Sequence, residues 1–84
     1  MGRETAKKFS KADIEAVLKR LDTGDLGMVL RAKGIVPCVD GGWIHFDYVP
    51  EEADVRMGGA SVIGKLCVIG SKLDEEAIAK AFGV

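Results

Sequence analysis

Two hydrophobic rhythms run along the chain, one helical at each end of the sequence and one strand-like between them. In "FSKADIEAVLKRLD" the apolar residues Ile14, Val17, Leu18 and Leu21 recur at spacings of three and four, which makes one stripe on a helix. Ser10 is a good N-cap with Asp13 three residues on, a capping-box arrangement, and Phe9 and Ile14 have the spacing of a hydrophobic staple. Thr23-Gly24-Asp25 ends the element, so a helix is expected over Ser10 to Asp22. The chain closes on a second helix in "SKLDEEAIAKAFGV". Asp74 caps it, Glu75 and Glu76 lie where the helix dipole favours them, and Gly83 stops it. Its expected buried face is Leu73, Ala77, Ile78, Ala81 and Phe82.

Between the helices the period falls to two. Met28 to Val39 and Trp43 to Val49 flank "DGG", a hairpin signal because tight hairpin turns require positive φ. Glu52 to Met57 reads as a shorter, exposed strand entered through Pro50. "KLCVIG", residues 65 to 70, reads as a strand buried on both faces, and "RETAKK" ahead of Phe9 as an edge strand. Two helices with one apolar stripe each need a single sheet face to cover. The expected fold is therefore an α+β two-layer sandwich: a mostly antiparallel sheet of four or five strands with both helices on one side. It is ferredoxin-like in general shape, but the order of elements is not βαββαβ.

Composition narrows the class. The 84 residues have room for a single domain over 1–84. An apolar content of 48% with 30% charged residues is that of a folded globular chain. A net charge of −1 supplies no electrostatic case for nucleic acid or an anionic membrane. No apolar run reaches the length of a membrane span and no signal-peptide pattern opens the sequence, so a cytoplasmic protein with reduced cysteines is expected.

Candidate chemistry is sparse. Gly59, Gly64 and Lys65 in "GGASVIGKL" spell most of a Walker A phosphate loop. Such a loop must leave a strand and enter a helix, and its last position needs a hydroxyl for magnesium. Here Leu66 holds that position and a β-branched, strand-like run follows, so the match is rejected. In the hairpin, a turn at Gly41-Gly42 sets Cys38 opposite His45, with Asp47 on the same face: a thiol, an imidazole and a carboxylate suited to zinc or cobalt. A turn at Asp40-Gly41 instead sets Cys38 opposite Trp43 and no longer opposite His45. A Cys38–His45 dyad is the one nucleophilic arrangement available, and a hairpin gives it no helix N-terminus to activate the thiol. Glu51-Glu52 and Glu75-Glu76 read as solvated turn and capping charges. Arg31 and Lys33 share one face of their strand, either as solvated edge charges or as part of a docking surface.

Taken in order, "VLRAKGIV", "WIHFDYV" and "LCVIGSKLDEEAIAKAF" resemble the C-terminal domain of the CobW family of GTP-dependent metal chaperones. The resemblance rests on an R-A-K-G strand at Arg31, Ala32, Lys33 and Gly34, an aromatic strand of W-x-H-F type, an apolar strand ending I-G, and an acidic helix start. It covers nearly the whole chain. It implies a non-catalytic accessory domain for client or inter-domain recognition, in a family tied to cobalamin synthesis and to zinc or cobalt supply. The GTPase machinery and cysteine-rich metal motif belong to a separate P-loop domain, and neither is spelled here. The implied partners are that GTPase domain, in cis or in trans, and a metalloprotein client. Arg31, Lys33 and Trp43 are the interaction candidates; Cys38, His45 and Asp47 are the metal candidates of a small metal-binding module. Free sheet edges also allow a weak homo-oligomer.

Overall fold

A computed structural model describes residues 1–84. The elements run β1 (Gly2–Thr5), α1 (Lys11–Leu21), β2 (Met28–Pro37), β3 (Trp43–Val49), β4 (Glu52–Gly58), β5 (Gly64–Ser71) and α2 (Glu75–Phe82). The five strands form one antiparallel sheet in the order β1-β5-β2-β3-β4, an α+β sandwich with β2 at its centre.

Both helices begin as their sequences dictate. The Ser10 hydroxyl accepts from the Asp13 N–H at 3.0 Å while the Asp13 carboxylate accepts from the Ser10 N–H at 3.2 Å. That reciprocal pair satisfies two donors the first turn would otherwise leave free, and it holds the Asp13 carboxyl below the usual carboxylate range. In α2 the Asp74 carboxylate accepts from the Ala77 N–H at 3.1 Å, and Gly83 closes the helix in the left-handed region at φ 76°. Ala79 is buried there in addition to Ile78 and Phe82, whereas Leu73, Ala77 and Ala81 are only partly covered.

The stripes of α1 and α2 pack on one sheet face. Ile14, Val17, Leu18 and Leu21 of α1 and Ile78 and Phe82 of α2 join Ala32, Val36, Ile44, Phe46, Tyr48, Leu66 and Val68 of the strands in a continuous core. At its centre the Phe46 and Phe82 rings stack at 5.9 Å. Gly34 makes room for that stack. A methyl group at position 34 would lie 2.5 Å from the Phe46 ring and 2.9 Å from the Lys65 carbonyl oxygen.

A second polar tie fixes α1 to the β3–β4 turn. The buried Tyr48 donates its phenol to the Asp22 carboxylate at 2.5 Å, and the Glu51 N–H donates to the same oxygen at 2.9 Å. The two donors hold the Asp22 carboxyl below its ordinary range. Burial first, and then the bond to Asp22, push the Tyr48 phenol up to about 12.

Three expectations are corrected. Strand β5 is buried on one face only: Leu66 and Val68 are inside, while Lys65 and Ile69 are exposed. Since both helices lie on the same side, nothing covers the other. Strand β2 ends at Pro37, and neither two-residue turn forms; Pro37 pairs with Trp43 across a loop of residues 38–42. The cause is tertiary. Phe9 donates its N–H to the Pro37 carbonyl and accepts from the Val39 N–H, so Cys38 bridges to Phe9 in parallel rather than to β3. The first strand is Gly2–Thr5, shifted toward the N-terminus from "RETAKK", and it pairs with β5.

Candidate functional site

The side of the sheet away from the helices has no covering element, and its residues follow from the register. Two cross-strand rows dominate it: Cys67–Lys33–Asp47–Asp54, and Lys65–Ile35–His45–Arg56. Arg31 and Ile69 pair at one end, Pro37, Trp43 and Gly58 at the other. Arg31, Lys33 and Trp43 therefore lie on one face, the open one. Ile69 is 55% exposed there, and Ile35, Pro37, Trp43 and Cys67 are half-buried, so the face carries apolar area among its charges. A groove of about 330 Å³ runs over its middle, with Lys33, Ile35, His45, Asp47, Lys65 and Cys67 among its lining.

The charges of the face are unevenly paired. Arg56 reaches Asp47 at 2.9 Å and Asp54 at 2.6 Å, and the bond to Asp47, followed by that to Asp54, pushes its guanidinium up. These are the molecule's ion pairs; Arg31, Lys33 and Lys65 have no carboxylate within bonding distance. The His45 Nε2 lies 2.8 Å from the Gly59 carbonyl, and because a carbonyl only accepts, that nitrogen carries the proton. The imidazole lies over Gly58, where a Cβ would come within 2.6 Å of it.

This geometry separates the metal candidates. Cys38 is 6% exposed and belongs to the helix-side core, whereas His45 and Asp47 are on the open face. Asp47 is held by Arg56. No three His, Cys, Asp or Glu side chains gather closely enough to hold a metal ion. The residues do not fit a zinc or cobalt centre built on Cys38, His45 and Asp47, and the Cys38–His45 dyad fails for the same reason. The phosphate-loop match fails structurally as well. Gly64 and Lys65 open strand β5, and Gly64 is small because β1 and β2 crowd it, with Thr5 O at 2.5 Å and Pro37 Cδ at 2.8 Å from a Cβ there.

Sequence reading missed Cys67 and Ile69 as open-face residues. The signal was present in Lys65: a charge at the first position of an alternating strand marks its own face as wet, and Cys67 and Ile69 follow it at period two. No helix is long and apolar enough to cross a membrane.

The fold has solved counterparts. The zinc(II)-bound YjiA GTPase from E. coli matches 98% of this chain and 27% of that chain, with a TM-score of 0.77 at 22% identity. A zinc(II)-bound triple mutant of the YjiA GTPase matches the same shares with a TM-score of 0.78 at 19% identity. The chain thus spans about a quarter of the length of these structures. Comparison with curated proteins finds no match. The family model described as the cobalamin synthesis protein cobW C-terminal domain matches residues 3–84. The chain belongs to the CobW C-terminal domain family.

Proposed function

We propose that this domain is the recognition module of a CobW-type GTP-dependent metallochaperone, acting by contact and carrying out no catalysis itself. The observation that carries the reading is the open sheet face. It combines half-exposed apolar residues (Trp43, Pro37, Ile35 and Ile69) with three cations that have no partner within the domain. A surface of that kind is incomplete in isolation. Arg31, Lys33 and Trp43 are its anchors, and the P-loop GTPase domain of the family, in cis or in trans, is its first partner. A metalloprotein client in the cytoplasm, served with zinc or with cobalt for cobalamin synthesis, is the second. A metal-binding module is the lesser reading, because its three ligands are split between the two sides of the sheet.

The test is binding of the chain to a separately purified CobW-type GTPase domain from the same genome, loaded with GDP or with a non-hydrolysable GTP analogue. Lys33→Glu and Trp43→Ala on the open face should each weaken binding by about tenfold or more, the range of anchor residues at interfaces. Lys19→Glu, on the exposed side of α1, should leave it unchanged. Binding that is lost with Lys19→Glu and kept with Lys33→Glu would place the contact on the helices and sink the proposal.

A further inference from the structure

The open face is not merely charged; its charges are divided. Arg31, Lys33 and Lys65 stand on β2 and β5, and Asp47, Glu52 and Asp54 on β3 and β4, where Arg56 offsets part of the negative sign. Glu4, paired across from Lys65, trims the positive half at its outer edge. The boundary between the halves is the seam of β2 and β3, and these two strands are paired residue for residue.

We propose that, when no GTPase domain is bound, a second copy of this chain docks on this face, the two sheets stacking about a two-fold axis that runs along the β2–β3 seam. The inference shares with the preceding section only the premise that the open face is an interaction surface. Such an axis sets each β2 residue opposite the partner copy of its β3 neighbour, and each β5 residue opposite the partner's β4 residue of the same row. Lys33 meets the partner's Asp47 and Asp47 meets the partner's Lys33. Pro37 meets the partner's Trp43, twice, and Ile35 meets the partner's His45. The apolar contacts fall near the axis and the opposite charges beside them, as a self-complementary interface requires. One contact opposes the pairing: Lys65 meets the partner's Arg56, although Asp47 and Asp54 already offset that guanidinium.

Size sets the strength. Five strands about 4.8 Å apart and about seven residues long make a face of roughly 550 Å², so a pair buries on the order of 1,100 Å² in total, near the lower limit for a specific complex. The pairing is therefore weak and concentration-dependent, and a GTPase domain with a better fit displaces it.

Sedimentation equilibrium of the 84-residue chain, from about 10 μM to 1 mM, covers the range expected of so small an interface. The mass should climb from monomer toward dimer, and added salt should reverse the climb. Trp43, the single tryptophan, should shift to shorter emission wavelength in step. Lys33→Asp and Asp47→Lys should each weaken self-pairing by about tenfold or more, as like charges then face each other twice. Mixing the two variants should restore a heterodimer, since both contacts become Asp against Lys again. Thermal melts of each variant alone confirm that both are folded, and the salt series on the unaltered chain tests the same charge pairing without any substitution. A chain that is monomeric throughout overturns the inference, as does a dimer that ignores Lys33→Asp or a mixture that fails to re-pair. A monomer that still binds the GTPase domain through Lys33 defeats self-pairing alone and leaves the proposed function standing.

Discussion

Substituting Gly34 by Ala tests whether the glycine of the R-A-K-G strand serves packing or recognition. Position 34 lies on the central strand and faces the helices, and its missing Cβ is where the edge of the Phe46 ring sits, 2.5 Å from the atoms Cε1 and Cζ. Phe46 cannot swing away freely, because it is 1% exposed and stacked on Phe82. The second obstacle is harder: the Lys65 carbonyl oxygen, 2.9 Å away, belongs to the backbone of the neighbouring strand β5. Relief requires either an off-rotamer Phe46 or a spread of the β2–β5 ladder, and overpacking of this kind costs about 1–3 kcal/mol. Two steric conflicts at one Cβ put Gly34→Ala toward the upper end, about 2–3 kcal/mol. For a domain of this size each kcal/mol lowers the melting temperature by about 4–8 °C, so a fall of roughly 10–20 °C is expected. The assay is urea and thermal unfolding followed by circular dichroism. Gly59→Ala serves as the control, because a Cβ there meets nothing within 4 Å. Adding Phe46→Leu should recover part of the loss, giving a sub-additive double-mutant cycle. If Gly34→Ala matches Gly59→Ala to within about 0.5 kcal/mol, the range of neutral surface changes, the steric account is wrong.

Three further outcomes follow from the geometry. Tyr48→Phe removes the bond that holds α1 to the β3–β4 turn and should cost about 1–2 kcal/mol in urea unfolding. The folded state retains the Tyr48 proton to about 12, so that contribution is present in full below the ordinary phenol range near 10 and fades as pH rises toward 12. The depressed Asp22 acts with the opposite sense: its contribution is present above 3.8 and fades as pH falls through the lower folded value, so Tyr48→Phe should flatten both ends of the stability profile. Cobalt(II) titration of the reduced chain should give no thiolate absorption band that depends on Cys38, and Cys38→Ser should leave the spectrum unchanged; a saturable band lost in that variant would show that the core thiol reaches a metal after all. Iodoacetamide should label the half-buried Cys67 in the native protein, with Cys38 reacting only on unfolding, as peptide mapping at successive times would show.

Much of the fold is legible locally because each helix announces its own ends. The Ser10–Asp13 box and the Asp74 and Gly83 caps use side chains within a few residues of the backbone they satisfy, and the structure forms them as spelled. The strands are legible for a similar reason, since alternation requires only neighbours in sequence. Two amphipathic helices and one sheet then leave a two-layer sandwich as the way to bury both stripes. The placement of Arg31, Lys33 and Trp43 on a shared face also follows once β2 and β3 pair, because period two carries each side chain to a definite side.

What the sequence left undecided depended on residues far apart in the chain. The hairpin register was open between two turns, and neither forms, because Phe9 captures the backbone on both sides of Cys38 from nearly thirty residues upstream. That contact draws Cys38 into the core and away from His45, which removes the metal site the local count allowed. Strand β5 looked buried on both faces because Leu66, Cys67, Val68 and Ile69 are all apolar; only the placement of both helices on one side leaves Cys67 and Ile69 outside. The same placement turns scattered strand charges into a divided surface. Local hydrogen bonding and periodicity determined the elements, whereas the face each strand buries and the groups that meet across it were set by which long-range contacts the packed core rewards.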